Sequence, residues 1–144
     1  MLLMNREKYR VIGDGLVYLD FGPVTMTLDA QRSGVPFTEA AIAGAEKVLK
    51  VFDEFVDYLD FLRLPISAVD SIPKDAPPSV RKMTESVALL GEDDFTSLAA
   101  VAGTASDFAV EAMASYGADY AIANNGGDVA WKITYYENRG NDAE

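Results

Sequence analysis

The sequence contains neither cysteine nor histidine. Without thiols there is no disulfide and no cysteine nucleophile, and without imidazole there is no histidine base and no zinc site of the usual ligand types. Most familiar hydrolase chemistry is excluded for this chain acting alone. Positive charge is also scarce, with 12 Lys and Arg against 23 Asp and Glu and a formal net charge of -11. Such a chain repels phosphate backbones and anionic lipid surfaces, which argues against nucleic acid and membranes as partners. Long apolar runs are missing too. The longest stretch free of charge, Phe95 to Ser106, falls well short of the roughly 18 apolar residues that a membrane span requires. The opening MLLMNREKYR has no signal-peptide apolar run or cleavage site, so the chain reads as cytoplasmic.

What is present is 144 residues, 49% hydrophobic and 24% charged, enough for one domain with a sizeable core. From Val24 to Gln31 apolar and polar residues alternate, with Val24, Met26, Leu28 and Ala30 on one face and Thr25, Thr27, Asp29 and Gln31 on the other. That period of two predicts a half-buried strand. Two apolar runs precede it, Tyr9 to Ile12 and Leu16 to Phe21, divided by the turn composition Gly13-Asp14-Gly15. After Gly34 and Pro36 the period becomes helical. Thr38 and Glu39 read as an N-cap and an acidic first turn, and Ile42, Ala45, Val48, Leu49, Phe52, Phe55, Val56, Leu59 and Leu62 form one apolar stripe. Pro65, Pro73, Pro77 and Pro78 then mark a surface connection. Beyond it come a short helix from Val80 to Leu90 and an apolar helix from Thr96 to Tyr116 that requires burial against a sheet. Strands over Tyr120 to Ala123 and Val129 to Tyr136 close the chain around Asn124-Asn125-Gly126-Gly127-Asp128. The expected fold is α+β, an antiparallel sheet with helices on one face, formed by a single unit over 1–136 and followed by a polar acidic tail over 137–144. Its second face and its edge strands call for a partner, either another copy or a complementary chain.

Two features carry candidate chemistry. In Asn124 to Asp128 two consecutive glycines allow a ligand close to main-chain N–H donors, with Asn and Asp side chains adding hydrogen bonds. The same residues also make a plain hairpin turn. Asp107 lies in an otherwise uncharged helical stretch, four residues after Gly103 and so on the same helical face, where it would orient a ligand hydroxyl or amide or else remain a partly exposed carboxylate. The acids Asp53, Glu54, Asp57 and Asp60 read as a solvated helix face rather than a cation site, because they rise from one element and do not converge. Asp14 between its two glycines likewise reads as turn chemistry. No P-loop, dinucleotide fingerprint or serine elbow is present.

The stretch AAVAGTASDFAVEAMASYGADYAIANNGGDVA resembles the central region of the ApbE family, FAD-dependent flavin transferases that attach FMN to a protein threonine. Together with FGPVTMTL and the helix beginning FTEAA, it is closer still to a prokaryotic family within the ApbE-like superfamily. The likeness runs from about Val17 to Ile133. It implies a unit of the tetrahydrobiopterin-enzyme type, two strands, helices and two strands, of which the family has two in tandem. By resemblance Gly126 and Gly127 would lie against FAD or another flavin nucleotide, Asn124, Asn125 and Asp128 would shape the pocket, and Gly103 and Asp107 would sit on the helix behind it. Ala102 stands where the transferases typically carry Lys. The magnesium-binding segment and the His of the family's second half have no counterpart here, so no magnesium is expected from this chain alone. The implied roles are a ligand-binding half completed by another chain or copy, a structural or regulatory subunit, or a contributor to a shared active site.

Overall fold

The computed structural model describes residues 8–21 and 24–134. Strands β1 (Tyr9–Gly13), β2 (Leu16–Phe21), β3 (Val24–Arg32), β5 (Tyr120–Asn125) and β6 (Asp128–Ile133) form an antiparallel sheet in that spatial order. The short β4 (Val35–Pro36) pairs with β3 off this path. The closing hairpin thus docks beside β3, making β3 the central strand. Helices α1 (Thr38–Asp57) and α4 (Val101–Tyr116) cross back over one face, which gives the α+β architecture that the hydropathy pattern predicts.

The alternation along β3 decides which face is covered. Met26, Leu28 and Ala30 are fully buried beneath the helices, beside Val17 and Leu19 of β2 and Ala121 and Ala123 of β5. Each fully buried Leu or Met in this layer contributes roughly 2 kcal/mol by leaving water. A second, smaller core lies under α3 (Pro78–Ala88), where Val51, Phe55, Leu62, Val80 and Met83 meet. The buried hydroxyls of Thr84 and Ser97, 2.9 Å apart, satisfy each other there.

Several boundaries differ from those the sequence suggests, each for a local reason. The long helix stops at Asp57 because Tyr58 leaves helical geometry, at φ -111 and ψ 20, before a four-residue α2 (Leu59–Leu62). Thr38 does not cap α1. Its hydroxyl instead accepts the Gly15 N–H at 2.9 Å, tying the helix start to the turn between β1 and β2. The region from Thr96 splits into a 3-10 turn, Ser97–Ala100, and α4. A further 3-10 turn, Ile66–Ala68, sits in the proline-rich connection. The pairing of β5 with β6 extends to Asn125 opposite Asp128, so only Gly126 and Gly127 remain as loop. Residues 135–144, with the expected end of the last strand and the 137–144 tail, lie outside the described residues. Among the described residues no helix is long and apolar enough to cross a membrane.

Among the described residues no helix packs on the second face of the sheet. Asp29 stands at its centre, opposite Leu16 on β2 and Ile122 on β5, and burial pushes its carboxyl up from the ordinary value of 3.8. A carboxyl whose folded pKa is raised penalises the native state above that pKa, and the penalty fades as pH falls below the unfolded value. Asp29→Asn is therefore expected to raise the midpoint of thermal unfolding at neutral pH and to lose that advantage by about pH 3. A gain that stayed constant between these conditions would contradict the assignment.

A cleft between helix α4 and edge strand β6

Residues four apart stack on one face of a helix, so Gly103, Asp107 and Glu111 form a single stripe along α4. Opposite them stands the helix-facing row of β6, Asp128, Ala130 and Lys132, whose side chains share the face of Ala121 and Ala123 by register. At one end a Cβ added to Gly103 would lie 3.6 Å from Asp128 Oδ2. At the other, Lys132 Nζ is 3.5 Å from Glu111 Oε2. Between Asp107 and Glu111 of α4 and Ala130 and Lys132 of β6 opens a cleft of about 480 Å³, bordered also by Phe108, Val110, Val129, Trp131 and, from α3, Lys82; Gly103 and Asp128 do not line it. That volume suits a small organic ligand. The small side chain of Ala130 leaves room at its floor.

Charge inside the cleft is arranged in opposed pairs. Lys82 Nζ lies 3.1 Å from Asp107 Oδ2, with both side chains close to half exposed. Pairs this wet contribute at most about 1 kcal/mol, so their partners can be exchanged for groups on a ligand at little cost. Lys47 and Lys82 approach the ring of Phe108 at 5.5 and 6.0 Å, a cation–π setting that keeps ammonium groups beside an aromatic surface. Two lysines beside Phe108 make a surface suited to a flat, anionic molecule. The carboxylates of Asp107 and Glu111 supply acceptors for hydroxyl or amide donors.

The structure brings some of the sequence-predicted site residues together and separates others. Asp107 lines the cleft, Gly103 and Asp128 approach each other without lining it, and Asn125, paired with Asp128, lies on the same side of the sheet. Asn124 pairs with Thr27 and Val129 and belongs to the opposite face, away from α1 and α4. Gly126, at φ +68, and Gly127 form a two-residue turn in which an added Cβ would meet nothing within 4 Å. The five-residue segment is therefore two strand ends and a tight turn, because a two-residue hairpin takes positive φ where glycine serves best. Asp53, Asp57 and Asp60 are exposed, and Glu54 accepts a hydrogen bond from the Ser79 hydroxyl at 2.6 Å. Among the described residues no group of three or more His, Cys, Asp or Glu could hold a metal ion.

Sequence reasoning missed Lys82, Phe108, Glu111, Trp131 and Lys132. A signal existed for two of them. Continuing the four-residue step from Asp107 reaches Glu111, and the alternation from Asp128 reaches Lys132. Lys82 arrives from another helix, and no local periodicity encodes that approach.

The comparisons with known proteins agree with one another. A UPF0280 protein of Methanothrix thermoacetophila is 40% identical over 78 residues, which is 54% of this chain and 32% of that protein. UPF0280 proteins of Methanocella arvoryzae and Methanosarcina acetivorans are 52% and 48% identical over 58 residues, 40% of this chain and 22% of each relative. The matched segments thus cover a third or less of these curated relatives. Since residues 10–140 match the family described as AbpE bacteria, the chain belongs to that family.

Proposed function

We propose that the chain is an ApbE-like unit that binds a flavin nucleotide, FAD or a close relative, in the cleft between α4 and β6, and that a second copy or another chain completes it. The observation that carries this reading is a cleft of about 480 Å³ in which Asp107 stands beside Lys82 and Phe108, with Lys132 on its opposite wall. The donor set suits the group. Lys82 and Lys132 would leave their carboxylate partners to neutralise phosphates, as compact cations do. Phe108 would offer a ring face to the isoalloxazine system. Asp107, freed from Lys82, would accept hydrogen bonds from a ribityl hydroxyl or a ring N–H. A bound flavin nucleotide would supply either redox chemistry or a transferable flavin group, and this chain's residues would hold and orient it.

The test is titration with FAD and with FMN, followed by calorimetry and by the emission of Trp131, the only tryptophan. Saturable binding with quenching is expected, weakened about tenfold or more when Lys82 and Lys132 are both replaced by Ala. Absence of saturable binding, by the chain alone and with its partner, would overturn the flavin reading. A second reading, a structural or regulatory subunit, draws on the turn at Gly126 and Gly127, where among the described residues an added Cβ would meet nothing within 4 Å. If a folded variant with both glycines changed to Ala kept its ligand binding or its partner's activity, that turn would have a structural role only.

A further inference from the structure

Strand β6 ends the sheet, and among the described residues nothing pairs with its outer side. Its hydrogen-bonding parity follows from one contact. Thr134 N–H donates to Asp119 C=O at 2.8 Å, and in an antiparallel ladder alternate residues turn both backbone groups to the same neighbour. Thr134, Lys132, Ala130 and Asp128 therefore bond toward β5, while Val129, Trp131 and Ile133 aim their N–H and C=O groups outward. The side chains of those three are also exposed, at 45%, 66% and 42%. The strand carries no proline, and its register with β5 is unbroken. At the opposite edge β1 has a register irregularity between Val11 and Gly13. Natural sheets usually blunt a long edge with such a bulge, a proline or charge of one sign, whereas β6 has neither bulge nor proline and its two charges, Asp128 and Lys132, are opposite in sign, which leaves it a pairing surface.

We infer that β6 pairs antiparallel with β6 of a second copy of this chain across a two-fold axis through Ala130. The sequence of the strand is self-complementary in this register. Val129 and Trp131 of one copy form the outward-bonding pair with Trp131 and Val129 of the other and cover each other on the face away from α1 and α4. On the helix-bearing face Asp128 stands opposite the second copy's Lys132, and Lys132 opposite its Asp128. Two opposite-charge pairs thus fall directly across the seam, which fixes the register and provides local attraction within a chain whose net charge is otherwise repulsive. The axis is perpendicular to the sheet, so both helix layers lie on one side and the two α4–β6 clefts adjoin. This last step rests on the cleft being the ligand site: each bound molecule would then meet groups from both copies. The strand pairing itself does not depend on a ligand.

The test is made without flavin. Sedimentation equilibrium across a concentration series is run alongside the emission spectrum of Trp131, which sits at the seam. Expected is a dimer whose formation shifts Trp131 emission to the blue. Lys132→Asp alone and Asp128→Lys alone each place like charges opposite one another and should weaken association at least about tenfold, whereas the double exchange restores it. A chain that stays monomeric throughout, or a dimer indifferent to the single charge reversals, overturns the inference. So does a dimer that leaves Trp131 emission unchanged. Because the readout is assembly alone, it fails or succeeds separately from flavin binding.

Discussion

Gly15→Ala is expected to destabilise the fold by about 3 kcal/mol, the sum of a left-handed backbone penalty and a steric conflict that cannot relax cheaply. Gly15 sits at φ +72, and a Cβ there would stand 2.7 Å from the carbonyl oxygen of Ala30, 3.0 Å from Pro36 Cβ and 3.2 Å from the Phe37 nitrogen. Two of those three atoms are backbone. The Ala30 N–H donates to Gly15 C=O at 3.0 Å, and the Gly15 N–H donates to Thr38 Oγ1 at 2.9 Å, so the residue joins the first turn, the central strand and the start of α1. Moving it breaks at least one of these bonds. Gly34 is the internal control, since it has a similar φ of +77 but nothing within 4 Å of an added Cβ. Gly34→Ala should cost only the conformational share, about 1 kcal/mol. Urea unfolding of both variants decides the matter: equal losses would show that the contact with the Ala30 carbonyl carries no weight.

Gly15 also shows how far the sequence could be read. Its turn was legible, because Gly-Asp-Gly between apolar runs has few other uses, and so was the alternation that puts Met26 and Leu28 inward. Its burial was not legible, because the atoms that enclose it come from residues 30 to 38, brought back by a later reversal. The candidate site divides along the same line. Gly103 and Asp107 share a helical face by spacing alone, so their common side was predictable. The participation of Lys82 depends on how α3 lies beside α4, which is set by the packing of Val80 and Met83 into the smaller core and by no feature of residues 78–88 themselves. Asn124 was misjudged for a simpler reason. Treating Asn124 to Asp128 as loop hid the strand alternation that continues to Asn125 and sends Asn124 to the far face.

Gly44→Val is expected to cost about 3 kcal/mol, near the upper end of what overpacking a buried contact does. Gly44 is where α1 comes closest to α4. A Cβ at this position would lie 2.8 Å from Met113 Cγ, 3.2 Å from Met113 Sδ and 3.3 Å from the Ala109 carbonyl oxygen. Met113 is itself fully buried and has little space into which to retreat. The higher helix propensity of Val over Gly returns only a few tenths of a kcal/mol. The two helices must therefore separate or Met113 must leave its rotamer. The effect should couple to Met113. With Met113→Ala in place, which alone costs about 2–5 kcal/mol as a cavity, Gly44→Val should cost measurably less than in the parent, because part of the new volume is filled. Strict additivity in the double-mutant cycle would reject that account. The displacement also reaches the cleft, since α4 carries Gly103, Asp107 and Glu111 opposite β6. A Gly44→Val protein that still folds should therefore bind flavin more weakly than the parent, although residue 44 borders no part of the cleft.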